Sequence, residues 1–186
     1  MNDFFVDYLY SEDTYDILIE KNDDRVLLIG GVYGILLLSS FPIIGRWFYV
    51  SAKINHLSEV KDLEITPGWA VGWYFIPFAN LVMPYRALKE TFQASFDSEN
   101  WQSIKIPYDF SVWWATFLAS NGFSSWSANM WGSLEEPYAY EKVNQIAYID
   151  ITADVLLIIN AFFLLRIVGT IFNNQKGKNF QLKKHY

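Results

Sequence analysis

Cysteine is absent from the chain, which removes disulfides, thiol nucleophiles and thiolate metal sites together. Histidine is nearly absent: His56 and His185 stand far apart, so no HExxH spacing or paired-imidazole ligand set can be drawn. Charge is scarce too, at 18% of 186 residues against about 25% for soluble globular chains. The net charge of −6 comes largely from the first 24 residues, where eight acids face Lys21 alone. An acidic chain without a basic aromatic stripe is a poor nucleic-acid binder. The same acidity denies a cleavable signal peptide its basic leading region.

The chain is instead rich in long uncharged runs. Residues 26–45, 65–85 and 110–134 carry no charge, and residues 143–172 are apolar apart from Asp150, Asp154 and Arg166. A helix needs about 20 mostly apolar residues to span a bilayer, so the first three runs qualify by length. The mean hydropathy of +0.11 is low for a membrane chain. It is held down by 8 Trp and 12 Tyr, residues that sit well at membrane interfaces.

These runs predict an all-α fold, an integral membrane bundle of four transmembrane helices with the second helix kinked by prolines. The spans fall at about 26–45, 65–85, 110–132 and 146–170, within a domain of residues 26–172. An acidic segment, 1–25, precedes it and a basic tail, 173–186, follows. With four crossings, ten of the fourteen lysines and arginines fall on the side holding both termini. The positive-inside rule then puts both termini in the cytoplasm. Residues 46–64 keep helical spacing, so the first helix is expected to continue beyond the membrane. Residues 87–96 also favour helix, opened by an Arg86–Glu90 pair at i,i+4, and Pro107 marks the turn before the third span.

The second run is the most informative. On a continuous helix Trp69, Trp73, Pro77, Asn80 and Pro84 share one face. Pro77 cannot bond the carbonyl of Trp73, nor Pro84 that of Asn80. Those carbonyls need partners that lipid does not supply. Two readings stand: a broken helix whose carbonyls line an ion or substrate site, and a kinked span whose Asn80 bonds a neighbouring helix. The second is the simpler. Gly68 and Gly72, like Gly30 and Gly34, have the spacing that lets helices approach closely. Ser120, Asn121, Ser124, Ser125, Ser127 and Asn129 give the third run a polar seam or a cavity lining. Asp150, Asp154 and Arg166 are intramembrane charged candidates, although Asp154 and Arg166 lie close enough to the span ends to reach water.

Residues 67–73 (Pro-Gly-Trp-Ala-Val-Gly-Trp), followed by Pro77, Asn80, Pro84, Arg86 and Glu90, resemble the central block of the bacterial membrane-protein family catalogued as domain of unknown function 4328. Trp47, Tyr49 and Asn55 are similar to that family's segment after the first span, and Trp113 with Trp114 to the pair opening its third. The resemblance covers roughly residues 41–121. It implies a multi-pass protein of a bacterial cell membrane and implies no activity.

No catalytic constellation and no cofactor site can be read, so the chain is expected not to be an enzyme. The leading expectation is a membrane module that binds a partner protein, a second copy or lipid. The alternative is a small transporter or channel using the carbonyls near Asn80 and the acids of the fourth span.

Overall fold

The structure, a computed structural model, describes residues 12–134 and 140–182, with side chains from residue 21 to residue 177. Residues 1–11, with part of the acidic segment, and Lys183 and Lys184 of the basic tail lie outside it. The described residues form helices and turns without a strand, as the sequence predicts. Two compact units divide the chain, one ending at Arg46 and the other beginning at Trp47.

Helix α1 runs Glu12–Leu57, so residues 12–25 are helical and continuous with the run that follows. The first unit holds its residues up to Arg46. Leu, Ile and Val repeat there without a polar face, and from Val26 to Ile44 the apolar side chains stand exposed, Leu27 at 79%. Apolar surface on every side of a helix belongs to one that is covered by protein or by a membrane. Pro42 removes one bond of the ladder without ending the helix.

The second unit is built on a helical hairpin. Helix α4 (Asp109–Gly132) and helix α5 (Tyr140–Leu182) run antiparallel. Three contacts fix their register: Arg166 with Asp109, Asn160 with the Trp113 carbonyl, and Trp131 with Asp150. Of the polar residues in α4, Ser120 and Ser127 are buried in the seam. Asn121 and Asn129 instead bond carbonyls of their own helix. Helix α3 (Met83–Phe96) and the last turns of α1 close over the far end of α5. There Phe48, Leu88, Phe92, Phe110, Trp113, Ile167 and Ile171 form the main core.

Two helical stretches among the described residues, 21–57 of α1 and 140–177 of α5, are long and apolar enough to cross a membrane. The structure departs from the expected second span. Residues 65–85 are not one kinked helix. They hold the short helix α2 (Trp69–Gly72), 3-10 turns at Trp73–Phe75 and Ala79–Leu81, and the start of α3. Two local causes account for the break. Pro77 leads into a γ-turn, closed by the Ala79 N–H on the Pro77 carbonyl at 2.8 Å, with Phe78 at φ 64°. Pro84 does not break a helix but begins one, in the first turn of α3 where its missing N–H costs nothing.

The expected connections also change. Residues 58–65 and 90–101, which a four-span bundle would separate by a bilayer, are hydrogen-bonded to each other. Trp101 Nε1 donates to the Lys61 carbonyl at 2.9 Å, and the Lys61 N–H to the Ser98 carbonyl at 3.4 Å.

Candidate functional site

Helix α3 presents one face to the core through Leu88 and Phe92 and a polar face to the loops before and after it. On the polar face Glu90 is only 8% exposed. Its carboxylate bridges two consecutive backbone donors, Oε2 accepting from Glu64 N–H at 2.9 Å and Oε1 from Ile65 N–H at 3.1 Å. The loop carrying those donors turns through Glu59 and Asp62, both at positive φ. Burial raises the Glu90 pKa above its ordinary value. The two backbone bonds lower it, the Glu64 carboxylate raises it and His56 lowers it, and the net shift is upward.

The expected Arg86–Glu90 ion pair is therefore not formed, because Glu90 is committed to the backbone. Arg86 is left exposed on a cleft of about 330 Å³ with Lys89, Gln93, Trp101, Gln102 and Glu64. Gln93 is held in place by its own bond to the Ile104 carbonyl at 2.6 Å. Among the described residues neither Arg86 nor Lys89 forms a salt bridge. A cleft with two unpaired cations and an indole edge suits an anionic group presented with some apolar surface. No three histidine, aspartate or glutamate side chains converge as a metal ligand set among the described residues.

Behind the cleft a buried polar knot ties three helices. Asn55 of α1 donates to the Thr91 carbonyl of α3 at 3.0 Å. Gln175 of α5 donates to Asn55 Oδ1 and to the Ser51 carbonyl, each at 2.9 Å. Asn174 donates to Ser95 Oγ at 3.1 Å. The sequence marks Asn55 only through the family resemblance, and nothing in it singles out Gln175. Their partners lie 36 and 120 residues away.

The other expected site residues are dispersed. Trp69 and Trp73 stack with ring centroids 4.5 Å apart, the one part of the proposed helical face that survives. The Trp73 carbonyl is not free, since the Ile76 N–H takes it in the 3-10 turn. Asn80 sits half-buried in the second 3-10 turn, and among the described residues its side chain bonds no neighbouring helix. Gly68 offers no close helix approach, because a Cβ there would meet nothing within 4 Å. Asp154 is exposed. Asp150 is 3.5 Å from the Trp131 indole nitrogen.

Arg166 pairs with Asp109, a residue that sequence reading passed over. An acid opening an uncharged run just after Pro107 was the available signal. The Nε–Oδ2 distance is 3.2 Å, with the arginine side chain 51% exposed and the aspartate 9%. Asp109 also sits in the first turn of α4, where the helix dipole favours a carboxylate. The arginine's exposure screens the pair. Arg166→Gln should therefore lower stability by no more than about 1 kcal/mol, measured by thermal denaturation in detergent. A larger loss would show a better shielded pair.

The family model described as Domain of unknown function (DUF4328) matches residues 12–172. No curated protein and no solved structure matches the chain.

Proposed function

This chain belongs to the DUF4328 family, and from that premise we propose a multi-pass protein of a bacterial inner membrane, non-enzymatic, that binds a partner protein or lipid. The observation that carries the reading is the cleft beside Glu90. Arg86 and Lys89 are unpaired there, while the rest of the polar face is locked by buried bonds that give the cleft a fixed shape. A rigid wall with free cations is preorganised for an acidic or phosphorylated group. The exposed apolar surface of residues 26–44 and of α5 supports the membrane setting.

A photo-crosslinking residue at Gln102, on the cleft rim, tests this in native membranes. One discrete protein or lipid adduct is expected, and it should disappear in an Arg86→Ala, Lys89→Ala double variant. Adducts unaffected by that variant would reject the cleft as the binding site. The transporter or channel reading draws less support, since the Trp73 carbonyl is already bonded by the Ile76 N–H and Asp154 is exposed.

A further inference from the structure

Hydrogen bonds of 3 Å do not reach across about 30 Å of hydrocarbon. The bonds between Lys61 and Trp101, between Glu64 and Glu90, and between Ile65 and Glu90 therefore place residues 58–65 and 86–104 on one side of any membrane. The knot puts Gln175 on that side as well, and the Asp109–Arg166 pair marks the hairpin end nearest to it. The chain between residues 65 and 86 must then leave and return on the same face.

Its path is visible. Trp114, in the second turn of α4 and inside that helix's uncharged stretch, donates its indole N–H to the Leu81 carbonyl at 3.1 Å. The broken segment is thus attached to the hairpin past the Asp109 level, beside residues that face lipid if the hairpin crosses. Its tip is apolar and uncovered, with Phe75 at 77% and Phe78 at 85% exposure, flanked by exposed Ile76, Leu81 and Val82. Five of its backbone donors, the N–H groups of Ile76, Ala79, Asn80, Leu81 and Val82, bond within the segment. Each such bond removes one of the unsatisfied groups that hydrocarbon penalises. Phe78 is a bulky residue held at positive φ, a strained arrangement that persists where a site requires it.

We propose that residues 69–82 are a re-entrant wedge, seated in the acyl chains of the leaflet on the C-terminal side. The membrane is then crossed three times, by residues 26–45, by α4 and by α5. Helix α4 has 24 residues, about 36 Å at 1.5 Å per residue, enough to cross beside α5. The inference rests on the membrane reading given above and revises its four-span form. The termini fall on opposite sides, with the acidic N-terminus outside and the C-terminus in the cytoplasm. Eleven of the fourteen lysines and arginines now lie on the cytoplasmic side, leaving Lys21, Arg25 and Lys142 outside. Three crossings thus fit the positive-inside rule better than four.

The cysteine-free chain allows a direct test with single cysteines and a membrane-impermeant maleimide on right-side-out and inverted vesicles. Asn22→Cys, Lys61→Cys, Lys105→Cys and Lys176→Cys should divide one against three, with residue 22 alone outside. Labelling of 61 and 105 from opposite sides overturns the proposal and restores four crossings. Release of the protein by alkaline carbonate, with all four sites labelled in either vesicle, refutes the membrane reading itself. For the wedge, a nitroxide on Phe78→Cys, and independently on Phe75→Cys, should be accessible to oxygen and shielded from a water-soluble nickel chelate. Free access of the nickel chelate at both positions overturns the wedge whatever the number of crossings.

Discussion

Asn55→Ala should destabilise the folded chain by about 2–3 kcal/mol, the cost of leaving buried polar groups without partners. The Asn55 side chain is 1% exposed, and its two ends serve different helices, donating to Thr91 and accepting from Gln175. Alanine removes both contacts and leaves space that water cannot fill with equal geometry. Gln175 keeps its bond to the Ser51 carbonyl, so the knot loosens without dissolving. Denaturant titration of the detergent-solubilised protein measures the loss. Gln175→Ala in the same assay should be non-additive with Asn55→Ala, with a coupling of about 0.5–3 kcal/mol. Strict additivity would show that the two amides do not act as one unit.

Glu90→Ala should have the larger effect, about 3 kcal/mol, because two backbone donors lose a charged acceptor together. The loop of residues 58–65 would lose its tie to α3 at Glu64 and Ile65, so hydrogen exchange should rise first at those two amides. Glu90→Gln keeps one acceptor oxygen and should lose less. The pH dependence separates charge from shape. Because the folded-state pKa of Glu90 is raised above its ordinary 4.5, the folded chain holds this proton more tightly than the unfolded chain. Its contribution is complete below pH 4.5 and is lost as pH rises through the folded-state value. Melting temperature should therefore fall across that window in the native chain, and the Glu90 component of that slope should vanish in Glu90→Gln. An unchanged slope would show that the carboxylate does not titrate there.

Much of the local structure was legible in the sequence, because local structure follows from local pattern. The continuation of α1 past the first uncharged run, the helix at residues 87–96 and the turn at Pro107 all followed from spacing and breakers. The interruption of the second run was also visible in its prolines, but its form was not. Pro84 can end one helix or begin another, and only the position of Val82 outside α3 distinguishes the two. The Arg86–Glu90 pair failed for a related reason. Spacing on one helix permits the contact, yet two backbone donors 25 and 26 residues upstream compete for the same carboxylate and win. Contacts between Lys61 and Trp101, or between Asn55 and Gln175, leave no periodic trace at all. Uncharged length alone likewise does not separate one continuous helix from the short helix and 3-10 turns that residues 65–85 form.

Helix α5 has 43 residues, about 64 Å at 1.5 Å per residue, roughly twice the hydrocarbon thickness. One helix therefore carries both the apolar stretch and the knot at Gln175, with Arg166 between them. Gln175 lies about 14 Å beyond that point along the axis. A tilt of about 10°, the kind of adjustment helices make to bilayer thickness, would swing it by about 2 Å. Bonds of 2.9 Å to Ser51 and Asn55 do not survive such a displacement. A shear of about 2 Å between α5 and the last turns of α1 would therefore cost the knot both bonds made by Gln175.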